Sequence, residues 1–381
     1  MSLFQANQGQ NRPLGQPSGT DDSLNDINLD SVANNPLDTV SSIEWIPNPM
    51  MKIFGASTWD GKIHIYDTVV NGYQKYITQK AIFNNNNDPI LNISWKKDCT
   101  VIFAGCADGS VKAFDVNSGN SILIGKHDNA VNSVHWIENM NAIMSISYNN
   151  QIKFWQLNNP NPVWQLTTDH RIYNSDFNFP FVFLGLANEQ LALFEISNMQ
   201  NFPQNKITGY FPTPLSSQTN ALSLFPKNDG YGVASIDGRA NLSVITKEST
   251  YSSAVSYKSS NKMTFKCHKT EEQGGVNILY PVHSIGFHPS SKNFVFTAGG
   301  DGTMTFWDYE QKNKIKTFNF KGAPVTKAKV SEDGQAIAYA LGYDWQKGIW
   351  GIDPNVKPKV CVHMIAENEL KYASGGGYNR F

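Results

Sequence analysis

Side chains able to do covalent chemistry are sparse along this 381-residue chain. No Gly-x-Ser-x-Gly elbow, His-Glu-x-x-His pair, phosphate-cradling glycine loop or dinucleotide fingerprint occurs, so the chemistries those spacings support lack their residues. Cys267-His268 and Cys361 with His363 offer sulfur and imidazole, the natural ligands of zinc. Neighbours in a strand point to opposite faces, however, which keeps Cys267 and His268 from converging and favours buried packing for the thiols. The expectation is a protein with no catalytic residue, metal, cofactor or small-molecule substrate. His127, just ahead of the alternating run Val131–Trp136, is expected to hydrogen-bond locally, and Asp67, Asp115 and Asp308 to tie turns together.

Binding chemistry is better represented. Ser249 through Thr270 contains no acid, while Lys258, Lys262, Lys266 and Lys269 interleave with Tyr251, Tyr257 and Phe265. Gln311 through Ser331 also lacks acids and supplies Lys312, Lys314, Lys316, Lys321, Lys327 and Lys329. Cations with interspersed aromatics suit contact with a phosphate backbone and stacking on unpaired bases; solvated lysines spread around a rim are the alternative. Arg239, directly after Asp237-Gly238, has few charges nearby in sequence and is either a fork for a partner's carboxylate or an ordinary surface arginine. Trp59, beside Asp60-Gly61, is either internal packing or an exposed anchor.

The elements positioning these residues follow from punctuation. Turn dipeptides recur at Asp60-Gly61, Asp108-Gly109, Asn149-Asn150, Asn188-Glu189, Asp237-Gly238, Asp301-Gly302 and Asp344-Trp345. Such pairs tolerate the positive φ of a tight β-hairpin, and most of the intervals approximate the roughly 40–45 residues of a four-stranded propeller blade. Six positions beyond the turns stand Tyr66, Phe114, Trp155, Phe194, Ser243, Trp307 and Trp350; an acid follows at Asp67, Asp115, Glu195 and Asp308, a degenerate Trp-Asp pattern. Runs such as Leu91–Trp95 and Ser110–Phe114 alternate with period two, and helical periodicity is missing. The prediction is an all-β chain, a seven-bladed WD40 β-propeller closed by an N-terminal strand at residues 25–30 that pairs in the last blade near Pro358–Ile365. The long interval before Asp301 predicts a surface insertion at about 248–280.

Composition sets the remaining bounds. A formal charge of −1 from 31 basic and 32 acidic side chains excludes wholesale basic nucleic-acid binding. Four cysteines without a Cys-x-x-Cys pair are too few for a disulfide scaffold, which a chain of this length does not need, and a reducing compartment is expected. Neither a membrane-spanning helix nor a secretory signal is visible, so no membrane insertion is expected. Residues 1–22, rich in Gln, Asn, Gly, Ser and Pro, read as a disordered tail, 23–372 as the propeller and 373–381 as a flexible tail.

The runs Thr264–Lys269, Tyr280–Pro289 and Ala298–Asp308 resemble a WD40 subfamily with two branches, the Rae/Gle-type mRNA export factors of the nuclear pore and the Bub-type mitotic checkpoint propellers. Asp237-Gly238-Arg239 is similar to a Glu-Gly-Arg element that both share, and Tyr343–Gly348 to the export branch's Ser-Tyr-Asp-Trp-Ser-Lys-Gly. The resemblance implies a non-enzymatic adaptor in the nucleus, at the nuclear pore complex and envelope and shuttling to the cytoplasm. It would bind the GLEBS peptide of an FG-repeat nucleoporin and thereby dock messenger ribonucleoprotein. It implies that Arg239 receives a peptide glutamate and that Trp59 lies on the peptide-facing side. It further implies that Phe265, Lys266, Lys269, Trp307, Lys312 and Lys314 form a groove for single-stranded RNA. Lys269 stands where the family has arginine, and Tyr309 where it has lysine. The alternatives are a checkpoint propeller binding the GLEBS motif of a kinetochore kinase and a ubiquitin-ligase substrate receptor.

Overall fold

A computed structural model describes residues 21–28, 35–71, 74–196, 207–249, 255–271, 276–291, 293–353 and 357–370. Within them, seven four-stranded antiparallel sheets stand as blades. Their innermost strands are Val40–Trp45, Ile90–Trp95, Val131–Ile137, Ile172–Asn178, Thr219–Leu224, Val282–Phe287 and Val325–Val330. Each touches the next and the last touches the first, so the ring is closed.

One local device repeats in every blade. The pairing register slips after the first residue of each innermost strand, as between Val40 and Ser42, Val131 and Ser133, or Val325 and Lys327. A bulge of this kind re-aims side chains. Here it puts small or polar residues such as Ser42, Asn92, Ser133, Asn174 and Ser284 on a central cavity of about 750 Å³. The apolar partners face the neighbouring blades. Trp45, Phe54 and Tyr66 of blade 1, for instance, are buried with Ala336, Ala338, Val360 and Val362 of blade 7. Each such side chain contributes about 1.5–3 kcal/mol of transfer free energy.

Blade 7 is assembled from both ends of the chain. Ile27 pairs with Val362 and Asn28 with Cys361, placing Ile27–Asn28 outside Lys359–Met364 in the order the alternation predicts. Charge locks this seam. His363 Nδ1 lies 2.7 Å from Asp26 Oδ1, and its Nε2 lies 2.9 Å from Glu369 Oε2; Lys316 pairs with the other Glu369 oxygen at 2.6 Å. Tyr339 donates to Asp26 at 2.7 Å. Asp22 accepts from the Asn319 backbone at 2.8 Å, tying the start of the described chain to blade 6. Residues 1–20 and 373–381 of the two predicted tails lie outside the described residues, as do Leu29 and Asp30 of the predicted closing strand.

Trp350 departs from the repeat reading. Its spacing predicts a blade aromatic, but it stands on a short 3-10 turn, Gly348–Gly351, and is 94% exposed. The connection between the second and third strands of blade 7 is long, and the true third strand is Lys359–Met364. The insertion divides in two: it lengthens the hairpin Arg239–Ser249 with Val255–Lys266, and it adds a small hairpin, Lys269–Glu271 with Asn277–Leu279.

Buried polar chains tie strands within blades. His127 Nε2 lies 2.7 Å from Ser145 Oγ, which also accepts from Trp155 Nε1 at 2.7 Å. Burial pushes the His127 pKa down to about 3, keeping the imidazole neutral. In blade 6, His268 donates to Asp301 at 2.8 Å, and Trp307 Nε1 to Thr297 at 3.0 Å. Asp115 and Asp308 each accept two backbone N–H groups of the turn that follows. Ser145→Ala orphans the Trp155 donor and is expected to cost about 1–3 kcal/mol, read by urea unfolding with an unchanged m-value.

Candidate functional site

In every blade the turn between the second and third strands lies at one end of the ring, here called the upper face, and the turn between the third and fourth strands at the other. The tight turns use left-handed backbone, with φ of 77° at Gly61, 87° at Gly109, 72° at Gly238 and 73° at Gly302. At Gly238 a Cβ would stand 2.2 Å from the His268 carbonyl oxygen, so no larger residue fits and the next strand must start at Arg239.

Arg239 is held by its own turn. Its Nε lies 3.3 Å from Asp237 Oδ2, while the other Asp237 oxygen accepts from the buried Ser235 hydroxyl. The contact uses Nε, and the guanidinium side chain stays 41% exposed. Arg239 pairs across the ladder with Lys266, and Lys269 follows after the buried His268. Directly paired residues share a sheet face, and like charges there repel. The exposed Lys266 and Lys269 thus make, with Arg239, a cationic corner that an incoming anion relieves.

Apolar groups are exposed on the same face, on several blades. Trp59 is 45% exposed, which resolves its two readings in favour of the surface. Tyr148, Ile236 and Trp345 are likewise exposed beside their turns, and Val276 and Leu279 of the small hairpin are exposed near them in the fold. Single apolar side chains occur on any surface, and several on one face make that face the candidate for binding. Sequence reasoning passed over Tyr148 and Ile236; the available signal was a large apolar residue immediately before the turn dipeptide, the position Trp59 also holds.

The expected RNA residues do not form one patch. Lys266 and Lys269 lie by Arg239. Lys312 and Lys314 sit where the third strand of blade 6 turns into the fourth, next to the Asp308–Asn313 rung, and so at the opposite end of the strands. Phe265 and Trp307 do meet, with ring centroids 4.9 Å apart, but are only 4% and 1% exposed. They are inter-blade packing, and the expectation that they stack on bases is corrected: hydrophobic burial has already consumed their faces. Lys314 covers the Trp307 ring at 5.5 Å. Other lysines of the two basic runs are taken: Lys262 pairs with Glu310, Lys316 with Glu369, and Lys329 faces the central cavity, 3.3 Å from Glu44.

All four cysteines are free, and burial raises the thiols of Cys106, Cys267 and Cys361. Among the described residues no group of three or more His, Cys, Asp or Glu side chains is placed to hold a metal ion, and no helix is long and apolar enough to cross a membrane.

Seven four-stranded blades, tight turns on one face and a buried histidine–hydroxyl–tryptophan chain define a WD40-repeat propeller. The WD domain, G-beta repeat family matches residues 260–308, and the anaphase-promoting complex subunit 4 WD40 domain family matches residues 73–139. The chain is homologous over most of its length to mRNA export factors of the Rae/Gle type. It is 29% identical over 374 residues to the poly(A)+ RNA export protein of Schizosaccharomyces pombe, covering 97% of this chain and 98% of that protein. Protein Rae1 of Drosophila melanogaster is 29% identical over 360 residues, covering 93% and 98%. The mRNA export factor GLE2 of Chaetomium thermophilum is 28% identical over 354 residues, covering 92% and 93%. These relatives support a role in mRNA export, and the fold suggests a scaffold rather than an enzyme.

Proposed function

We propose that the protein is a non-enzymatic adaptor that captures the GLEBS peptide of an FG-repeat nucleoporin on its upper face and so docks messenger ribonucleoprotein at the nuclear pore, shuttling between nucleus and cytoplasm. The observation that carries this reading is the held guanidinium of Arg239, flanked by Lys266 and Lys269, on a face that also exposes apolar side chains on several blades. A carboxylate from an acidic hairpin peptide takes the fork; Trp59 and its neighbours bury the peptide's apolar residues. Buried area excludes water and holds the hairpin, while the charge pair fixes its register. The test is calorimetry with a synthetic GLEBS peptide: one-to-one binding with a negative heat-capacity change supports capture by apolar burial, and no heat of binding rejects it.

Single-stranded RNA is assigned to the lysines alone, Lys312 and Lys314 at the lower end of blade 6, and Lys266 of blade 5 with Lys269 of the small hairpin at the upper face. Backbone contact then dominates, with little base stacking. Oligo(U) affinity is expected to fall linearly with salt on logarithmic axes, and Lys312→Glu with Lys314→Glu to flatten that slope by about 0.7 for each phosphate the protein no longer neutralises. An unchanged slope, or no binding at low salt, removes these lysines from an RNA surface.

A further inference from the structure

We infer that the upper mouth of the central channel receives a cationic side chain, an arginine or lysine from the peptide bound on that face, so that the partner carries a base set apart from its acid. This rests on the reading of the upper face as a peptide-binding face.

The mouth combines aromatic walls with carboxylates. Trp59, Tyr148 and Trp345 line the cavity together with Asp38 and Asp344. Two hydrogen bonds set their relation: the Trp59 N–H donates to the Thr39 carbonyl at 3.1 Å, and the Thr39 hydroxyl donates to the Tyr343 carbonyl at 2.9 Å. Asp38, one residue before Thr39, therefore sits between the turn that carries Trp59 and the loop that carries Trp345. Asp344 is fixed by His283, 2.8 Å away, and by the Gln346 amide, at 2.5 Å. Trp345 has a φ of 64°, a conformation that bulky residues rarely adopt. Residues kept in such backbone cluster at ligand sites, and this one keeps a large indole 52% exposed at the rim.

Charge chooses the occupant. The lysines lining the cavity, Lys327 and Lys329, lie deeper along the innermost strand of blade 7, and Lys329 is occupied by Glu44. Asp344, its side chain only 3% exposed, is already paired with His283, so Asp38 is the carboxylate the mouth leaves open, beside aromatic faces and with no lysine or arginine among the cavity-lining residues at that level. A guanidinium or ammonium placed there gains both ion pairing and the ring quadrupoles. An anion meets Asp38, and a neutral apolar group buries against its charge. Lys327 below sets the depth, repelling a cation that passes the rim.

The probe is N-acetyl-arginine amide, with N-acetyl-citrulline amide as its neutral near-isostere, titrated to about 10 mM against full-length protein labelled with 5-fluorotryptophan. The expected result is saturable movement of the Trp59 and Trp345 fluorine resonances, assigned with Trp59→Phe and Trp345→Phe, for the arginine compound only. Asp38→Asn is expected to weaken it about fivefold, while Arg239→Glu leaves it unchanged. No saturable shift, an equal response to the citrulline compound, or indifference to Asp38→Asn in a variant with native unfolding behaviour overturns the proposal. Peptide capture without arginine binding overturns this inference alone; arginine binding without peptide capture supports the cation site and removes the peptide reading.

Discussion

Arg239→Glu is expected to abolish capture of an acidic GLEBS peptide while leaving the fold intact. Its side chain reaches solvent at the start of a strand, and its ion-pair partner is Asp237, within its own turn. Truncation to alanine removes the fork and leaves the peptide's carboxylate desolvated without a partner, a loss of about 2–5 kcal/mol. Reversal goes further, because a glutamate beside Asp237 opposes the incoming acid. Calorimetry should read a loss of about thirtyfold or more for Arg239→Ala and no measurable heat for Arg239→Glu. Lys266→Ala and Lys269→Ala are expected to act mainly on association rate and its salt dependence, as exposed rim charges do. A dissociation constant within twofold of the parent for both Arg239 variants would falsify the assignment.

The largest expected loss of stability lies on the far side of the ring, at His363→Ala. The imidazole stands between Asp26 and Glu369, and its ring also meets Phe318 edge-on with centroids 4.5 Å apart. Removing it leaves two carboxylates facing a void, and breaking a buried pair in this way costs about 3–5 kcal/mol. The same group sets a pH dependence. Although burial lowers the His363 pKa, the hydrogen bonds and charges of Asp26 and Glu369 outweigh it and hold the group up at about 9. A group raised in the folded state contributes stability fully below its unfolded pKa of about 6.5, and loses it as pH rises through 9. Opposing it, burial pushes His127 to about 3 and both His64 and His135 to about 4, so stability also falls as pH drops below about 6.5. Urea unfolding across this range should show both arms, and only the alkaline arm should vanish in His363→Gln. Retention of that arm would remove His363 as its source. Hydrogen exchange at Ile27 and Asn28 supplies a second readout, since loosening the latch should release that seam before the rest of the ring.

Much of the architecture was readable from local chemistry. Turn dipeptides and period-two alternation identify blades because left-handed backbone is costly for most residues, which favours Gly and Asn in the tight turns. Pairing of Ile27 with Val362 follows from the need to cover a bare edge. Spacing misled at Trp350, where a six-residue interval matched by coincidence and the chain in fact makes a long excursion before its third strand. The aromatic ring of Phe265 shows a deeper limit: in a basic run it reads as a stacking surface, yet strand pairing turns it toward Trp307. Whether an aromatic faces solvent depends on the neighbouring blade, and no local window contains that blade. Lys266 and Lys312 likewise share a basic character but stand at opposite ends of their strands. The meeting of Arg239 with Lys266 is a cross-strand rung whose register depends on the long insertion between them, so only the fold reveals it.

If Arg239 reads a carboxylate of the proposed GLEBS peptide, a reciprocal charge exchange will reveal it. Arg239→Glu protein is combined with a GLEBS peptide in which each glutamate in turn is replaced by arginine, and affinities are compared in a double-mutant cycle. One replacement is expected to restore binding to the charge-reversed protein while weakening binding to the parent. If every replacement acts equally on parent and variant, with no coupling at any position, the claim is contradicted.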